Sequence, residues 1–291
     1  MMTLIAVEFF KLRKRMMTWT LALLLVGLIV LIYSVLWSIS GRVTTFGNEG
    51  QFTGEQLRRA LFLQTSVPFS LTIVSSFGII LVAILAAGAA GSEYAWGTVR
   101  LMATGSSGRL QMMAAKLIVV SGLVAAGALL AVAVGVAYSS IITLTNGGSS
   151  FDFVTATFVQ DQMEAYGRTI FVLAPYMTMA FAGAVVGRST LAGVGWAIGF
   201  AFMEPLVAGL MRLGGNPWED IPRYFINANV QAILLQNKLP GVLPQFGPGR
   251  HEVAQWRLNS AEVAAIILAL YIAVFIILAL WVYRRRDITA S

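Results

Sequence analysis

Long apolar runs separated by short polar stretches dominate the pattern of this chain. Largely apolar segments occupy about 17–38, 69–91, 117–142, 169–187, 190–211 and 261–283. Each is close to the ~20 residues that a helix needs to cross hydrocarbon, so the pattern predicts an all-α membrane protein with six transmembrane helices. The first run is too long for a signal-peptide core and ends without a small-residue cleavage site, so it reads as a retained span. An even number of spans puts both termini on one side. The stretches outside the spans include 1–16, a first long loop at 39–68, 92–116 and a large loop at 212–260. All 291 residues form a single transmembrane domain on this reading.

Three polar stretches carry local signals. Residues 1–16, with Leu4, Val7, Phe9, Phe10 and Leu12 beside Lys11, Arg13, Lys14 and Arg15, predict an amphipathic elbow on the membrane face. In the first long loop Thr53 and Gln56 form a capping box, and Phe52 and Leu57 a hydrophobic staple, predicting a helix over 53–64. In the loop at 212–260, Ile226, Val230, Ile233 and Leu234 make a helical stripe, read as a second interfacial helix. Gly183-xxx-Gly187 and Gly195-xxx-Gly199 allow close helix approach inside the bundle.

Composition agrees: 58% of residues are hydrophobic and 11% charged, far from the soluble range. The net charge of +7 could suggest nucleic acid, but its distribution says otherwise. With both termini inside, the inner segments hold eleven basic and three acidic residues, while the outer ones hold nine of each. That is the positive-inside bias of a cell-membrane protein, and it leaves no basic patch for nucleic acid. Cysteine is absent, so disulfides and thiolate metal sites are excluded, and the single His251 cannot build a zinc site. There is no Gly-Lys dipeptide and hence no Walker loop, and neither HExxH nor GxSxG occurs. The chain is expected to be neither an enzyme nor a cofactor binder.

Two places remain where function would concentrate. Glu204, next to Pro205, lies inside an apolar run, where an ionisable group costs at least ~2.5 kcal/mol, so a substrate pathway or a gate is one reading and a carboxyl reaching water is another. The second is the polar stretch that starts at Gly91-Ser92-Glu93-Tyr94-Ala95-Trp96-Gly97-Thr98-Val99-Arg100 and runs through Arg109 to Lys116. Its aromatic and arginine side chains are the kind that anchor interfaces.

That stretch resembles the membrane permeases of ABC type-2 exporters, in which a Glu-aromatic-x-x-Gly-Thr-x-Arg string follows the second span. Gly105-Ser106-Ser107-Gly108-Arg109 and Lys116 fit the turn leading into the third, although relatives often carry a proline there. The Glu8-to-Lys14 leader, Pro222-Arg223-Tyr224-Phe225 and the Arg284-to-Ile288 ending agree in order. The resemblance implies a permease that pairs with a second permease copy and docks on two cytosolic ATPase subunits, with ATP and magnesium bound by those partners. It further implies that Glu93, Tyr94, Trp96, Gly97, Thr98, Arg100 and Arg109 form the coupling contact, within 92–110. The almost uncharged spans favour an amphiphilic cargo such as a drug, lipid or peptide. Readings of other classes fit the same spans: a non-transporting scaffold or sensor, and an ion-coupled secondary transporter using Glu204.

Overall fold

The computed structural model describes residues 1–42, 45–46, 52–95, 109–146, 153–215, 217–237 and 258–285. Helix α1 spans Met2–Lys14 and α2 Met16–Ser40, separated only by Arg15 in an extended conformation (φ −79°, ψ 131°). A two-residue antiparallel pair, Thr45–Phe46 with Phe52–Thr53, precedes the short α3, Gly54–Ala60. After a 3-10 turn at Leu63–Thr65 come α4, Ser66–Ala95, and α5, Arg109–Thr145. Helices α6, Ala156–Gly187, and α7, Thr190–Leu213, follow. A 3-10 stretch at Trp218–Tyr224, α8 at Ile226–Leu234 and α9 at Ala261–Arg285 complete the order.

Six of these helices, α2, α4, α5, α6, α7 and α9, are long and apolar enough to cross a membrane. The chain is a multi-pass membrane protein. Burial divides the six into two classes. In α4 and α6, 72% of the apolar stretch is buried, against 17–28% in the other four. The bundle is therefore built on the α4–α6 pair, with α2, α5, α7 and α9 turning most of their apolar surface outward, as lipid-facing helices do.

Small residues make that centre possible. Ala83, Ala86, Ala87 and Ala90 of α4 and Ala180, Ala182 and Ala184 of α6 are all buried, so the backbones approach closely and pack by dispersion. A methyl group on Gly193 of α7 would collide with the Ala180 carbonyl, and one on Gly91 of α4 with the Thr190 backbone. Buried hydroxyls in α4 bond back to their own helix: Ser70 Oγ donates to Ser66 O (2.8 Å) and Thr72 Oγ1 to Pro68 O (2.8 Å). No polar cost is left there. Tyr33, fully buried, ties α2 to α4 through its hydroxyl on Ser66 O (3.2 Å) and its ring edge on Phe69.

The α6–α7 turn is tight. Arg188 closes α6 in the left-handed conformation (φ 51°), and Ser189 Oγ then accepts from Leu191 N (3.2 Å) to start α7.

Away from the 92–116 stretch, the structure differs from the sequence expectations at α6, α3, α8 and one of the two glycine pairs. Helix α6 begins at Ala156, thirteen positions before 169, because Thr155 Oγ1 accepts from Phe158 N (3.1 Å) and Glu164 pairs with Arg168 (2.7 Å) on an exposed first section. Helix α3 stops at Ala60, short of 64, since Thr65 turns its hydroxyl onto Ala60 O (2.8 Å). Helix α8 has no exposed stripe: all nine residues from Ile226 to Leu234 are buried, against α6, α7 and α9, so it is inserted into protein and does not lie along a surface. Finally, Gly183 and Gly187 do pack on α7, whereas Gly195 and Gly199 have open space around them.

Candidate functional site

Helices claim more of the polar stretch than the hydropathy pattern allots to them. The segment expected at 92–116 is helical at both ends, with 92–95 finishing α4 and 109–116 starting α5. Glu93 sits in the last turn of α4, Arg109 is the first residue of α5, and Tyr94 is half-buried. Trp96, Gly97, Thr98 and Arg100 lie outside the described residues.

The two helices leading into and out of that stretch are both held at the α1–α2 corner, α5 by α1 itself and α4 by Arg15, which joins α1 to α2. Glu8 and Leu12 form its buried face, while Val7, Phe9 and Phe10 are exposed. The Glu8 carboxylate is divided between two cations: Lys116 Nζ of α5 donates to Oε2 (3.0 Å) and Lys11 Nζ to Oε1 (2.8 Å). Lys116 is therefore not in a water-exposed loop, as the sequence suggests, but 2% exposed inside the bundle. Burial alone would raise the Glu8 pKa, but the charges and hydrogen bonds of Lys116 and Lys11 outweigh it and hold the carboxyl below its ordinary range. Across the break, Arg15 Nη1 donates to Ser92 Oγ (2.6 Å) and Gly88 O (3.2 Å) of α4. Thr18 Oγ1 and Trp19 Nε1 of α2 donate back to Leu12 O (2.7 Å) and Arg13 O (2.9 Å), which fixes the bend. The end of α4 and the start of α5 are thus tied to the α1–α2 corner, the first by a guanidinium clamp and the second by an ion pair.

A second polar site lies at the opposite end of the bundle. Glu204 is 4% exposed on α7, one residue before Pro205, whose missing N–H leaves the carbonyl four residues back without its helical donor. Its Oε1 accepts from Asn227 N (2.9 Å), at the start of α8. The carboxyl thus serves a helix N-terminus, where orphan N–H groups and the macrodipole favour an acceptor. Among the described residues, Oε2 of Glu204 and Nδ2 of Asn227 have no hydrogen-bond partner. Two asparagines brace the frame around α8: Asn229 Nδ2 donates to Arg223 O (3.0 Å) and Phe225 O (2.7 Å), and Asn259 Nδ2 to Arg223 O (2.7 Å) and Asn229 Oδ1 (3.0 Å).

Glu204, which the sequence singled out with a carboxyl reaching water as one alternative, is buried, and the Glu8–Lys116 pair and Asn227 were missed. A signal existed for the pair. Lys116 stands between Ala115 and Leu117 in an apolar context, and Glu8 faces the same way as Leu12 of α1. No group of three or more His, Cys, Asp or Glu side chains that could hold a metal occurs among the described residues. None of the curated proteins compared with the chain matches it. A family model described as "Protein of unknown function (DUF2705)" matches residues 29–289, from the middle of α2 to beyond α9, and the chain therefore belongs to that family.

Proposed function

We propose that the chain is the membrane subunit of an ATP-binding-cassette exporter, driven by separate cytosolic ATPase subunits that dock at 92–110. The observation that carries this reading is the attachment of the α1–α2 corner to both helices flanking the Glu93-to-Arg100 string, by Glu8–Lys116 and by Arg15–Ser92. A docking loop transmits work only if its two stems move with the rest of the bundle, and these bonds supply that connection. In this reading both termini and the basic end face the cytoplasm, in keeping with the positive-inside bias. ATP binding closes the partner subunits, the displacement enters through 92–110, and two permease copies alternate their access. The equilibrium moves only by the difference in ATPase affinity between the two states, so docking persists in both. At the other end α8, latched to Glu204, is the candidate gate. The cargo is amphiphilic, since Glu204 is the one charged residue placed deep in a span by the sequence.

The test is crosslinking from a photoreactive residue at position 97 in cells. Attachment to a protein with Walker motifs, together with loss of transport in Arg100→Glu and Gly97→Pro at unchanged membrane levels, supports the reading. Normal stimulated ATPase activity in those variants overturns it. A second reading, ion-coupled transport, draws on the unpartnered Glu204 oxygen. It requires transport without nucleotide and its loss in Glu204→Gln.

A further inference from the structure

An apolar cleft of about 200 Å³ opens between α2, α4 and α5, with Leu173 of α6 at its floor. It is lined by α2 from Thr18 to Leu25, by α4 from Val74 to Leu85 and by α5 from Leu123 to Leu130. Small residues create it: Ala22, Gly78, Ala126 and Gly127 remove the side chains that would fill the gap between these helices. Its one hydroxyl, on Thr18, is spent on Leu12 O (2.7 Å). Ala126 and Leu130 are exposed, so the cleft opens on the outer surface of the bundle.

We infer that this cleft binds one acyl chain of an anionic phospholipid from the leaflet on the α1 side. Three observations select that occupant. The first is length: the stretch of α4 from Val74 to Leu85 rises about 16 Å at the α-helical pitch, which is the depth of one leaflet of a hydrocarbon core ~30 Å thick. The second is volume. Empty apolar cavities of roughly 150 Å³ stay dry and accept small hydrocarbons, and a cleft of about 200 Å³ takes a stretch of one acyl chain. A helix of a second copy is a rod ~10 Å across and needs several times that space. An unfilled cleft would forfeit dispersion contacts along its walls.

The third is charge. The cleft ends at Thr18 and Leu85, one turn from Arg15 and from Gly88, and above it α1 carries Arg13 and Lys14, both exposed. A lipid whose chain lies in the cleft sets its headgroup at the level of these cations. Basic residues at a membrane surface attract anionic headgroups. The inference is independent of whether an ATPase docks at 92–110.

The full-length protein is reconstituted in phosphatidylcholine vesicles containing a minor fraction of phosphatidylglycerol with a diazirine on its acyl chain. After irradiation the labelled peptides are identified by mass spectrometry. The inference expects label concentrated in the stretches 18–25, 74–85 and 123–130. Gly127→Leu, whose new Cβ meets only Leu25 at 3.8 Å, fills the cleft and lowers that labelling about tenfold. Ala22→Phe closes the half-exposed mouth and does the same without touching the core. Gly122→Leu, on the same helix in open space, labels as wild type. Exchanging Arg13 or Lys14 for Gln reduces the preference for phosphatidylglycerol over the matching phosphatidylcholine probe about five-fold per residue. Label spread evenly over all lipid-facing peptides, equal labelling in Gly127→Leu and Ala22→Phe, or crosslinks within the cleft to a second copy would each overturn it.

Discussion

Glu8 and Glu204 are buried to nearly the same extent, 5% and 4% exposed, and are provided for in opposite ways. Glu8 has a cation on each oxygen, one from its own helix and one from α5. Glu204 has a backbone N–H on one oxygen and nothing on the other among the described residues. The first arrangement is a weld. Two charges removed from water are held by their mutual attraction, and separating them leaves an uncompensated charge inside the protein. The second is a latch, since a hydrogen bond to a helix end is worth far less than a buried ion pair and leaves the carboxyl free to exchange partners. The weld holds the last residue of the 92–116 stretch and the latch lies at the far end, an arrangement that suits the proposed force-transmitting role.

Breaking the weld has the largest expected effect. Lys116→Met leaves Glu8 buried with Lys11 still beside it, and should cost about 3 kcal/mol, the low end for a buried pair broken on one side, read as a drop in Tm of the detergent-solubilised protein. Glu8→Gln combined with Lys116→Met removes both charges and should recover most of the loss. If the double variant is no better than the single one, the pair is not the source of the stability. Next comes the clamp: Arg15→Ala deletes the bonds to Gly88 O and Ser92 Oγ, worth about 1.5–3 kcal/mol for a charged donor. Limited proteolysis within α1 should accelerate while α6 and α7 keep their protection.

The latch should yield more gently. Glu204→Ala removes the acceptor at the start of α8, at about 0.5–2 kcal/mol by the scale of helix N-caps, and hydrogen exchange should quicken at Asn227 while α4 is unaffected. Glu204→Gln keeps an acceptor oxygen and should restore much of that protection. The smallest effect is that of pH. Because Glu8 is held below the ordinary carboxylate range in the folded state, its contribution is complete above the unfolded value of about 4.3 and is lost as pH falls through the lower folded value. Wild type should lose Tm over that acidic interval by more than the Glu8→Gln, Lys116→Met double variant. Equal slopes would show that the pair does not titrate with folding.

Much of the architecture was legible because hydrocarbon imposes a coarse code: six apolar runs became six helices, with ends near the expected positions in α2, α7 and α9. The code fails where helices continue past the lipid. The exposed start of α6 is polar, so hydropathy ended there although Thr155 and the Glu164–Arg168 pair carry the helix on. It also fails for α8, whose apolar stripe looks the same whether lipid, water or three other helices surround it. Glu204 was conspicuous as a charge in an apolar run. Its partner is a backbone N–H twenty-three positions away, which no side-chain pattern announces. The Glu8–Lys116 pair joins residues 108 positions apart, and either one alone reads as an ordinary charge at a membrane edge.

The most direct test of the account is vesicle transport by the purified chain, alone and together with the ATPase captured at position 97. The account predicts cargo movement only with both proteins and hydrolysable nucleotide, and its loss in Lys116→Met with ATPase binding intact. Nucleotide-independent transport by the chain alone would contradict it.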